Sequence, residues 1–340
     1  MAARAETRCL AFQNPKDDPA SPSKRGFASK WKHFVFDRRH RDLLDSSVLT
    51  RLVQDGALES RSSSLREMKS DCCVLNEGDG AWAFQPLAEQ LSRAIGIDIS
   101  TQTRRFNYLL HADGAVDETA RYFIPLDSIR IAADKRLLAE IFEKHCVPRP
   151  ETRVFDQFED ALEFVRSEPT KQWCLKFPTG CGGSGHQMLT GESQEDRNWP
   201  KPFVVQEFIA LANPEVFRTY AAGGQVFGWV VRRYPEGVTP SPWVAHARGA
   251  RYVCLDEIPQ EALSSAKAAF QATGLLESFG CADLLQKPNG DWVVLEVGTD
   301  GLHNHVDREL DHESFEQELN IRLNASFWRW IKSSCGSNVA

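Results

Sequence analysis

Residues 280–297 constrain the fold of this chain most, because their sequence, GCADLLQKPNGDWVVLEV, is typical of two apolar strands joined by a tight turn. The pair Asn289 and Gly290 favours a type I′ turn, and a two-residue loop fixes which residues of the two strands face each other. In that register Asp283 lies directly opposite Glu296. The hairpin therefore places two carboxylates side by side in an otherwise apolar segment.

The opposed carboxylates of this hairpin predict a bound cation. Side chains that face each other across a strand pair have Cβ atoms about 5 Å apart, where like charges repel by roughly 3 kcal/mol at an effective dielectric constant of about 20. Mg²⁺ suits such a site because it binds one or two carboxylates together with phosphate oxygens of a substrate. Two alternatives are that one carboxylate is solvated at the strand end or that the pairing slips at Gly280. The same register places Leu285 opposite Val294.

Length and composition narrow the class of protein. A chain of 340 residues can form two or three compact units, and its 42% hydrophobic and 26% charged residues are ordinary for a soluble globular protein. The net charge of −7 argues against nucleic acid or an anionic membrane as a general partner. Apolar runs are too short for a membrane span, and nine scattered cysteines without a CxxC pair suit reduced thiols, so we expect a cytoplasmic protein.

Local patterns divide the chain into three parts. Residues 1–70 are polar and carry a basic cluster, which indicates either a partly disordered or substrate-recognising arm or simply a solvated face. Residues 71–128 contain a short strand, a glycine-containing loop and an amphipathic helix, which is typical of a short α/β unit. Residues 129–335 alternate helices, strands and hairpins and form the main domain, in which Asp134 is predicted to cap a helix.

A glycine-rich loop at 178–187, PTGCGGSGHQ, directly follows a strand that contains a lysine. Glycine lets backbone N–H groups approach a phosphate closely, although a flexible surface turn has the same composition. Lys176 lies between the apolar residues Leu175 and Phe177, where a lysine is normally disfavoured. It is either an edge-strand lysine whose tip reaches water or a lysine directed at phosphates, and the adjacent loop favours phosphates.

A second hairpin, which turns at a Gly-Gly pair, carries one carboxylate and three arginines. Its predicted register pairs Glu215 with Arg232 and Arg218 with Trp229, so that Arg218 and Arg233 share one face of the hairpin. The pair of Glu215 and Arg232 is either a surface ion pair contributing below about 1 kcal/mol or part of a binding site. In a binding site Glu215 would bind a ribose hydroxyl, and the three arginines would act in catalysis by binding a γ-phosphate or a substrate carboxylate.

In this order, the segments resemble the ATP-grasp superfamily. The matching segments are the helix entry DKRLLAEIFEKHCVPRPET, the strand and loop CLKFPTGCGGSG, the strand VVQEFI, the Glu/Arg hairpin, and the strands ADLL and VVLEVG. The match covers residues 129–310, and residues 71–128 resemble a truncated pre-ATP-grasp domain. The resemblance implies an α+β ATP-grasp fold, in which two α+β subdomains clamp ATP and a short pre-ATP-grasp-like α/β unit precedes them.

The resemblance also implies which residues bind ATP and magnesium. Those expected to hold the phosphates or to form the mobile flap over them are Lys135, Lys176, Gly180, Gly182, Gly183, Ser184 and Gly185. Those expected to contact adenine and ribose are Gln206, Glu207, Phe208, Ile209 and Glu215. The expected Mg²⁺ ligands are Asp283, Glu296 and Asp300. The family commonly has asparagine at the position of Gly298, so Asp300 or Asn304 replaces it or only one metal site is complete.

These implications predict an ATP-dependent, ADP-forming carboxylate–amine ligase that acts through an acyl phosphate. The partners would be ATP and a carboxylate-bearing small molecule or peptide, such as an amino acid, a peptide or a protein tail, and a homo-oligomer is possible. Such chemistry depends on positioning and charge neutralisation, which agrees with the lack of an obvious nucleophilic serine or cysteine. The alternatives are an ATP-grasp kinase that phosphorylates a hydroxyl group and a non-catalytic ATP-binding protein.

Overall fold

The structure of the protein is a computed structural model that describes residues 68–78, 81–111, 117, 119–179, 185–245, 248–299 and 313–336. The predicted arm over 1–70 lies outside these residues except for its last three. The described segments form three β-sheets with helices packed against them. None of the described helices is both long and apolar enough to cross a membrane.

The helices occur where apolar residues recur at helical spacing. Their bounds are α1 (Ala81–Ile95), α2 (Leu126–Ala133), α3 (Lys135–Lys144), α4 (Phe158–Ser167), α5 (Gln260–Thr273) and α6 (Glu313–Gly336). The helices predicted from the FEDALEFVRS, IPQEALSSAKAAFQATG and C-terminal patterns are confirmed, with ends that differ by a few residues. Asp134 caps α3 as predicted, because its side chain accepts a hydrogen bond from the backbone N–H of Arg136 at 2.9 Å.

The first sheet is parallel and has the strand order β2-β1-β3-β4. Its strands are β1 (Cys72–Leu75), β2 (Asp98–Ser100), β3 (Phe106–Leu109) and β4 (Arg121–Tyr122). Helix α1 connects β1 to β2 and buries Leu87 and Leu91. The predicted strand and amphipathic helix are therefore confirmed, and β3 and β4 widen the sheet beyond that prediction.

The second, smaller sheet is antiparallel and has the strand order β5-β8-β6-β7. Its strands are β5 (Thr152–Phe155), β6 (Trp173–Lys176), β7 (His186–Leu189) and β8 (Phe203–Glu207). Helix α4 covers the sheet, and its Phe158 and Leu162 are buried in one cluster with Trp173 and Phe203. This small core is separate from the main core of the molecule.

The third, larger sheet is antiparallel and has the strand order β11-β10-β9-β12-β13. Its strands are β9 (Glu215–Ala222), β10 (Gln225–Arg233), β11 (Arg251–Cys254), β12 (Phe279–Gln286) and β13 (Trp292–Gly298). Phe270 of α5 and Phe327 of α6 are fully buried in the main core, which also contains Leu91 of α1. The larger sheet and the parallel sheet thus share one apolar core.

Helix α3 ends in a Schellman motif in which Cys146 takes the position usually held by glycine. The backbone N–H of Cys146 donates to the carbonyl of Glu143 at 3.1 Å, and that of Val147 donates to the carbonyl of Phe142 at 2.9 Å. Cys146 has a φ of 53°, in the left-handed region that disfavours side chains with a Cβ. The helix end is therefore closed at the cost of local backbone strain.

Replacing Cys146 by glycine is expected to raise the free energy of unfolding by about 0.5–1 kcal/mol, because glycine adopts a positive φ without a Cβ penalty. Urea unfolding followed by circular dichroism would measure the change. A Cys146→Ala variant controls for loss of the thiol and should not be stabilised. A glycine variant no more stable than the alanine variant would contradict the prediction.

The hairpin of β12 and β13 confirms that Asp283 lies opposite Glu296 but corrects the turn. Only Gly290 of the Asn-Gly pair has a positive φ, of 94°, so the turn is not type I′. The backbone N–H of Gly290 donates to the carbonyl of Lys287 at 2.9 Å, which gives a three-residue loop with glycine in the left-handed position.

The longer loop shifts the register by one residue, and a β-bulge restores it before the carboxylates are reached. Leu285 pairs with Val293, so its predicted pairing with Val294 is wrong. Pairing then shifts between Leu284 and Asp283, where β13 contributes one extra residue, Leu295. Two departures from the predicted register therefore cancel at the carboxylate pair.

The hairpin of β9 and β10 turns at the predicted Gly-Gly pair but contains another bulge. Gly228, with a φ of 68°, lies where the register shifts. Beyond this point Glu215 pairs with Arg233, and Arg218 pairs with Val230. The predicted pairing of Glu215 with Arg232, and the shared face of Arg218 and Arg233, are therefore wrong. Arg218 instead shares a face with Arg232.

Candidate functional site

A cavity of about 400 Å³ is lined by residues of both the small and the large antiparallel sheet. A volume of this size is typical of small-molecule sites. Nine of the predicted catalytic, nucleotide-binding and metal-binding residues line it together: Lys176, Gln206, Glu207, Phe208, Ile209, Glu215, Arg232, Asp283 and Glu296. Residues up to 120 positions apart in the sequence thus converge on one space.

The other predicted site residues lie elsewhere. Lys135 lines a smaller recess of about 20 Å³, which shares Lys176 and Gln206 with the cavity. Arg218 lies behind the cavity lining, and Arg233 makes an exposed ion pair with Glu215 at 3.6 Å.

The two ends of the glycine-rich loop are joined by a backbone hydrogen bond, in which the N–H of Phe177 donates to the carbonyl of Gly185 at 2.9 Å. The residues predicted from this loop and the metal site that lie outside the described residues are Gly180, Gly182, Gly183, Ser184 and Asp300.

Lys176 is a buried cation without a partner among the residues that the structure describes. It lies on β6, an inner strand of the small sheet, so the edge-lysine alternative is wrong. The residue is only 8% exposed, and its ammonium makes no ion pair or hydrogen bond with the part of the chain that the structure describes. Because burial of an unpaired charge is costly, this lysine indicates a site for an anion.

Asp283 is the most buried charged group of the cavity and is held by two arginines. Arg218 faces it directly on the neighbouring strand β9 and donates two hydrogen bonds, from Nε at 2.6 Å and from Nη2 at 3.0 Å. Arg232 on β10 also donates to Asp283 and lies over the ring of Tyr252, with its Cζ atom 5.6 Å from the ring centroid. Asp283, at 2% exposed, thus has both carboxylate oxygens engaged.

The arginines determine the protonation state of Asp283. Burial by itself would raise the pKa of the carboxyl group, but the positive charges of Arg218 and Arg232 outweigh burial and hold the pKa at about 2. The pKa of Arg218 in turn lies well above its usual value, because the adjacent carboxylate outweighs burial of the guanidinium. Asp283 is therefore ionised at neutral pH, which is the charge state needed to bind a metal ion or to pair with arginines.

Glu296 completes the acidic side of the cavity. The structure gives its carboxylate no hydrogen bond or ion pair with another described residue, although it lies across from Asp283. No cluster of three or more metal-binding side chains occurs among the described residues. Carboxylates and phosphate oxygens are the ligands that Mg²⁺ prefers, so Asp283 and Glu296 are the described residues that would hold one ion beside a nucleotide.

The opposite end of the cavity is apolar and aromatic. The ring of Trp243 lies 5.2 Å from that of Phe208 and 5.2 Å from that of His186. Trp243 belongs to the loop that follows β10, whereas His186 begins β7 of the small sheet and Phe208 directly follows β8. These rings and Ile209 give a planar base an apolar wall.

Polar contacts orient the residues beside this wall. The amide nitrogen of Gln206 donates to the hydroxyl of Thr152 at 3.0 Å, and the carboxylate of Glu207 accepts the backbone N–H of Glu151 at 3.2 Å. The carboxylate of Glu207 also lies 4.0 Å from the ammonium of Lys287, which links the small sheet to the hairpin of the large sheet. These side chains are therefore held in place before a ligand binds.

Among the residues that sequence reasoning missed are two that line the cavity, Cys174 and Trp243, and one that lines the small recess, Arg149. Burial raises the pKa of the Cys174 thiol to about 11, so it is protonated at neutral pH and is a poor nucleophile. Trp243 lies in a Pro-rich loop without periodicity, and nothing in its local pattern indicates the site. Arg149 lines the small recess, and its place between two prolines was the one available signal.

No protein-family model matches the sequence, and no curated protein matches it either. Solved structures do match the fold. D-alanine–D-alanine ligase from Bacillus anthracis complexed with ATP has a TM-score of 0.56 and 16% identity, over 77% of this chain and 99% of that chain. The ATP-grasp ligase PsnB complexed with a minimal precursor has a TM-score of 0.54 and 16% identity, over 75% of this chain and 99% of that chain.

A further match is D-cycloserine synthetase DcsG, with a TM-score of 0.52 and 17% identity over 75% of this chain and 99% of that chain. Each of these structures is therefore covered almost completely by the matching part of this chain. The likeness agrees with the order of motifs along the sequence and with the cavity between the two antiparallel sheets. The chain therefore has the fold of the ATP-grasp superfamily.

Proposed function

We propose that the protein is an ATP-dependent, ADP-forming carboxylate–amine ligase whose reaction passes through an acyl phosphate. The observation that carries this proposal is the buried Lys176, which has no partner among the described residues, in a cavity that also contains the opposed carboxylates Asp283 and Glu296. A lone buried cation suits a phosphate chain, and the carboxylates suit the Mg²⁺ that accompanies it. The similar structures support this assignment, since one holds ATP and another holds a precursor, Mg and ADP.

We assign different parts of the cavity lining to different parts of ATP. The aromatic wall of Phe208 and Trp243 would receive the adenine, and Glu215 would receive a ribose hydroxyl. Lys176 would bind the phosphates, while Asp283 and Glu296 would hold Mg²⁺ against their oxygens. When bound, Mg²⁺ would neutralise phosphate charge and orient the terminal phosphate.

The reaction would then proceed in two balanced steps. A substrate carboxylate oxygen attacks the γ-phosphorus while the bond to the β-phosphate oxygen breaks, giving an acyl phosphate and ADP. An amine attacks the acyl carbon, the carbon–oxygen bond to phosphate breaks, and the amine proton leaves with inorganic phosphate or solvent. Lys176 and Arg232 would stabilise the charge on the transferred group, which is the main contribution that a protein makes to such chemistry.

The substrate would be an amino acid, a peptide or a protein tail with a free carboxylate. PsnB is similar in fold and is complexed with a precursor peptide, and the D-alanine–D-alanine ligase acts on an amino acid by its name. Arg232 lines the cavity, and its Nε atom is buried without a hydrogen-bond partner among the described residues, so this donor favours an anionic substrate group even though the guanidinium also pairs with Asp283. We therefore place acidic amino acids and acidic peptides first among the substrates to test.

An ADP-release screen with ATP, Mg²⁺ and a panel of amino acids and peptides tests the proposal, with mass spectrometry of the products. We expect ADP and an amide product, and ¹⁸O in a labelled substrate carboxylate should appear in the released phosphate. A Glu296→Ala variant should lose this turnover because Glu296 would hold the metal. A phosphorylated product without ¹⁸O transfer would instead identify a kinase, and ATP binding without ADP formation would identify a binding protein.

A further inference from the structure

The small recess beside the cavity has the size of a single oxygen atom and is lined by cations. Its volume of about 20 Å³ is enough for one water molecule or one ligand oxygen. The charged residues that line it are Lys135, Arg149 and Lys176, and no carboxylate is among its described lining residues. Three positive charges around an oxygen-sized space favour an anionic occupant.

Arg149 is held rigidly at this recess by its neighbours. It lies between Pro148 and Pro150, which restrict the backbone on both sides. The carbonyl of Pro148 accepts a hydrogen bond from the backbone N–H of Val294 at 2.8 Å, which ties this segment to β13, the strand that carries Glu296. Arg149 is therefore fixed relative to the acidic side of the cavity before any ligand binds.

The guanidinium of Arg149 has a buried donor that no group of the described part of the chain satisfies. Its Nε atom is buried and has no hydrogen-bond partner among the described residues. Within the described residues, the only ion pair of Arg149 is with Glu143, at 3.6 Å, and the side chain of Glu143 is 67% exposed. Such an exposed pair contributes little to stability, whereas a buried unsatisfied donor is costly, so surface pairing does not account for the position of Arg149.

We propose that Arg149 is a third cation of the phosphate subsite, and that its buried Nε–H donates to a phosphate oxygen of the nucleotide that enters the recess between Lys135 and Lys176. This inference rests on the proposed binding of ATP and extends it to a residue outside the motifs that indicated the fold. Arg149 would therefore select for the phosphate chain and contribute nothing to recognition of the base.

Isothermal titration calorimetry of ATP and adenosine with the full chain tests this role. An Arg149→Met variant removes the charge and the donor but keeps an unbranched side chain. We expect its Kd for ATP to rise roughly 10- to 100-fold, the loss typical of one charged hydrogen bond, and its Kd for adenosine to stay unchanged. An Arg149→Lys variant keeps the charge without the Nε–H and should bind ATP with intermediate affinity. If the methionine variant folds poorly, the lysine variant still tests the contribution of the Nε–H donor.

Two matched variants separate this role from a structural one. Glu143→Gln removes only the surface ion pair of Arg149, and Arg153→Met makes the same type of change at an exposed arginine that pairs with Glu151 at 2.9 Å. Both should bind ATP like the wild type. Unchanged ATP affinity in Arg149→Met, or equal losses for ATP and adenosine, would overturn the inference while leaving ATP binding intact. Failure of the wild type itself to bind ATP would instead reject the proposed function, and this inference with it.

Discussion

Replacing Asp283 by asparagine is expected to lower the free energy of unfolding by roughly 3–5 kcal/mol, the usual cost of removing one partner of a buried ion pair. The carboxylate is 2% exposed and accepts hydrogen bonds from both Arg218 and Arg232. Asparagine has nearly the same shape but leaves two buried guanidinium groups without a counter-charge. Urea unfolding of the two proteins without ligand would measure the difference.

The control for this variant lies in the same hairpin. Asp291 is exposed next to the turn and makes no ion pair with another described residue, so Asp291→Asn should change the free energy of unfolding by less than about 0.5 kcal/mol. If Asp283→Asn were no more destabilising than this control, the negative charge of Asp283 would not be needed to keep the two arginines stably buried in the folded protein.

The pH dependence of the same variant provides a second measurement. The pKa of Asp283 is about 2 in the folded protein against an ordinary value of 3.8, so folding favours the ionised form. The stability from this shift is complete above the unfolded pKa and is lost as the pH falls through the folded pKa. The stability difference between the wild type and Asp283→Asn should therefore be constant above about pH 4 and shrink between about pH 4 and pH 2. A difference that stays constant down to pH 2 would contradict the shifted pKa.

Replacing Lys176 by methionine is expected to lower kcat/KM for ADP formation by about 10²–10³-fold, the loss typical of one positioned donor to a developing charge. Methionine fills a similar volume in the inner strand β6, so the small core around Trp173 should remain packed. The variant should therefore fold normally and lose the proposed interaction with phosphate. Steady-state rates of ADP release with a substrate from the screen would measure the effect.

The control is a nearby lysine outside the cavity. Lys171 is exposed and pairs with Glu151 at 2.6 Å, so Lys171→Met should leave kcat/KM close to that of the wild type. Full turnover by Lys176→Met would reject the assignment of this lysine to the phosphates. An equal loss in both variants would point to a general effect of charge on the small sheet.

Local signals in the sequence were enough to predict many elements of the fold. The features predicted correctly depend on residues that are near each other in the chain. They are the spacing of apolar residues in α4 and α5, the capping side chain of Asp134, and the apolar strand around Lys176. Such patterns report helix and strand periods directly. The order of these elements was specific enough to indicate the ATP-grasp fold, although individual motifs were short.

Register was the property that local signals predicted least well. In both hairpins of the large sheet the predicted pairing is off by one residue over part of its length. In the hairpin of β9 and β10 a bulge causes the offset, whereas in the hairpin of β12 and β13 the three-residue loop causes it and a bulge then removes it. Whether a strand bulges depends on packing against other elements, as at Gly228, where an added Cβ would lie 2.7 Å from the ring of Phe315 on α6. The opposition of Asp283 and Glu296 was predicted correctly because two such shifts cancel.

The sequence by itself determined the elements, their order and the chemical types available for a phosphate and metal site. Only the tertiary structure decided that Arg218 and Arg232 both reach Asp283, and that Arg149 joins Lys176 at the small recess. These contacts join strands and loops that are far apart in the chain, and their geometry depends on sheet order and on bulges. The physical reason is that sequence patterns report short-range periodicity, whereas the meeting of distant side chains depends on how whole elements pack.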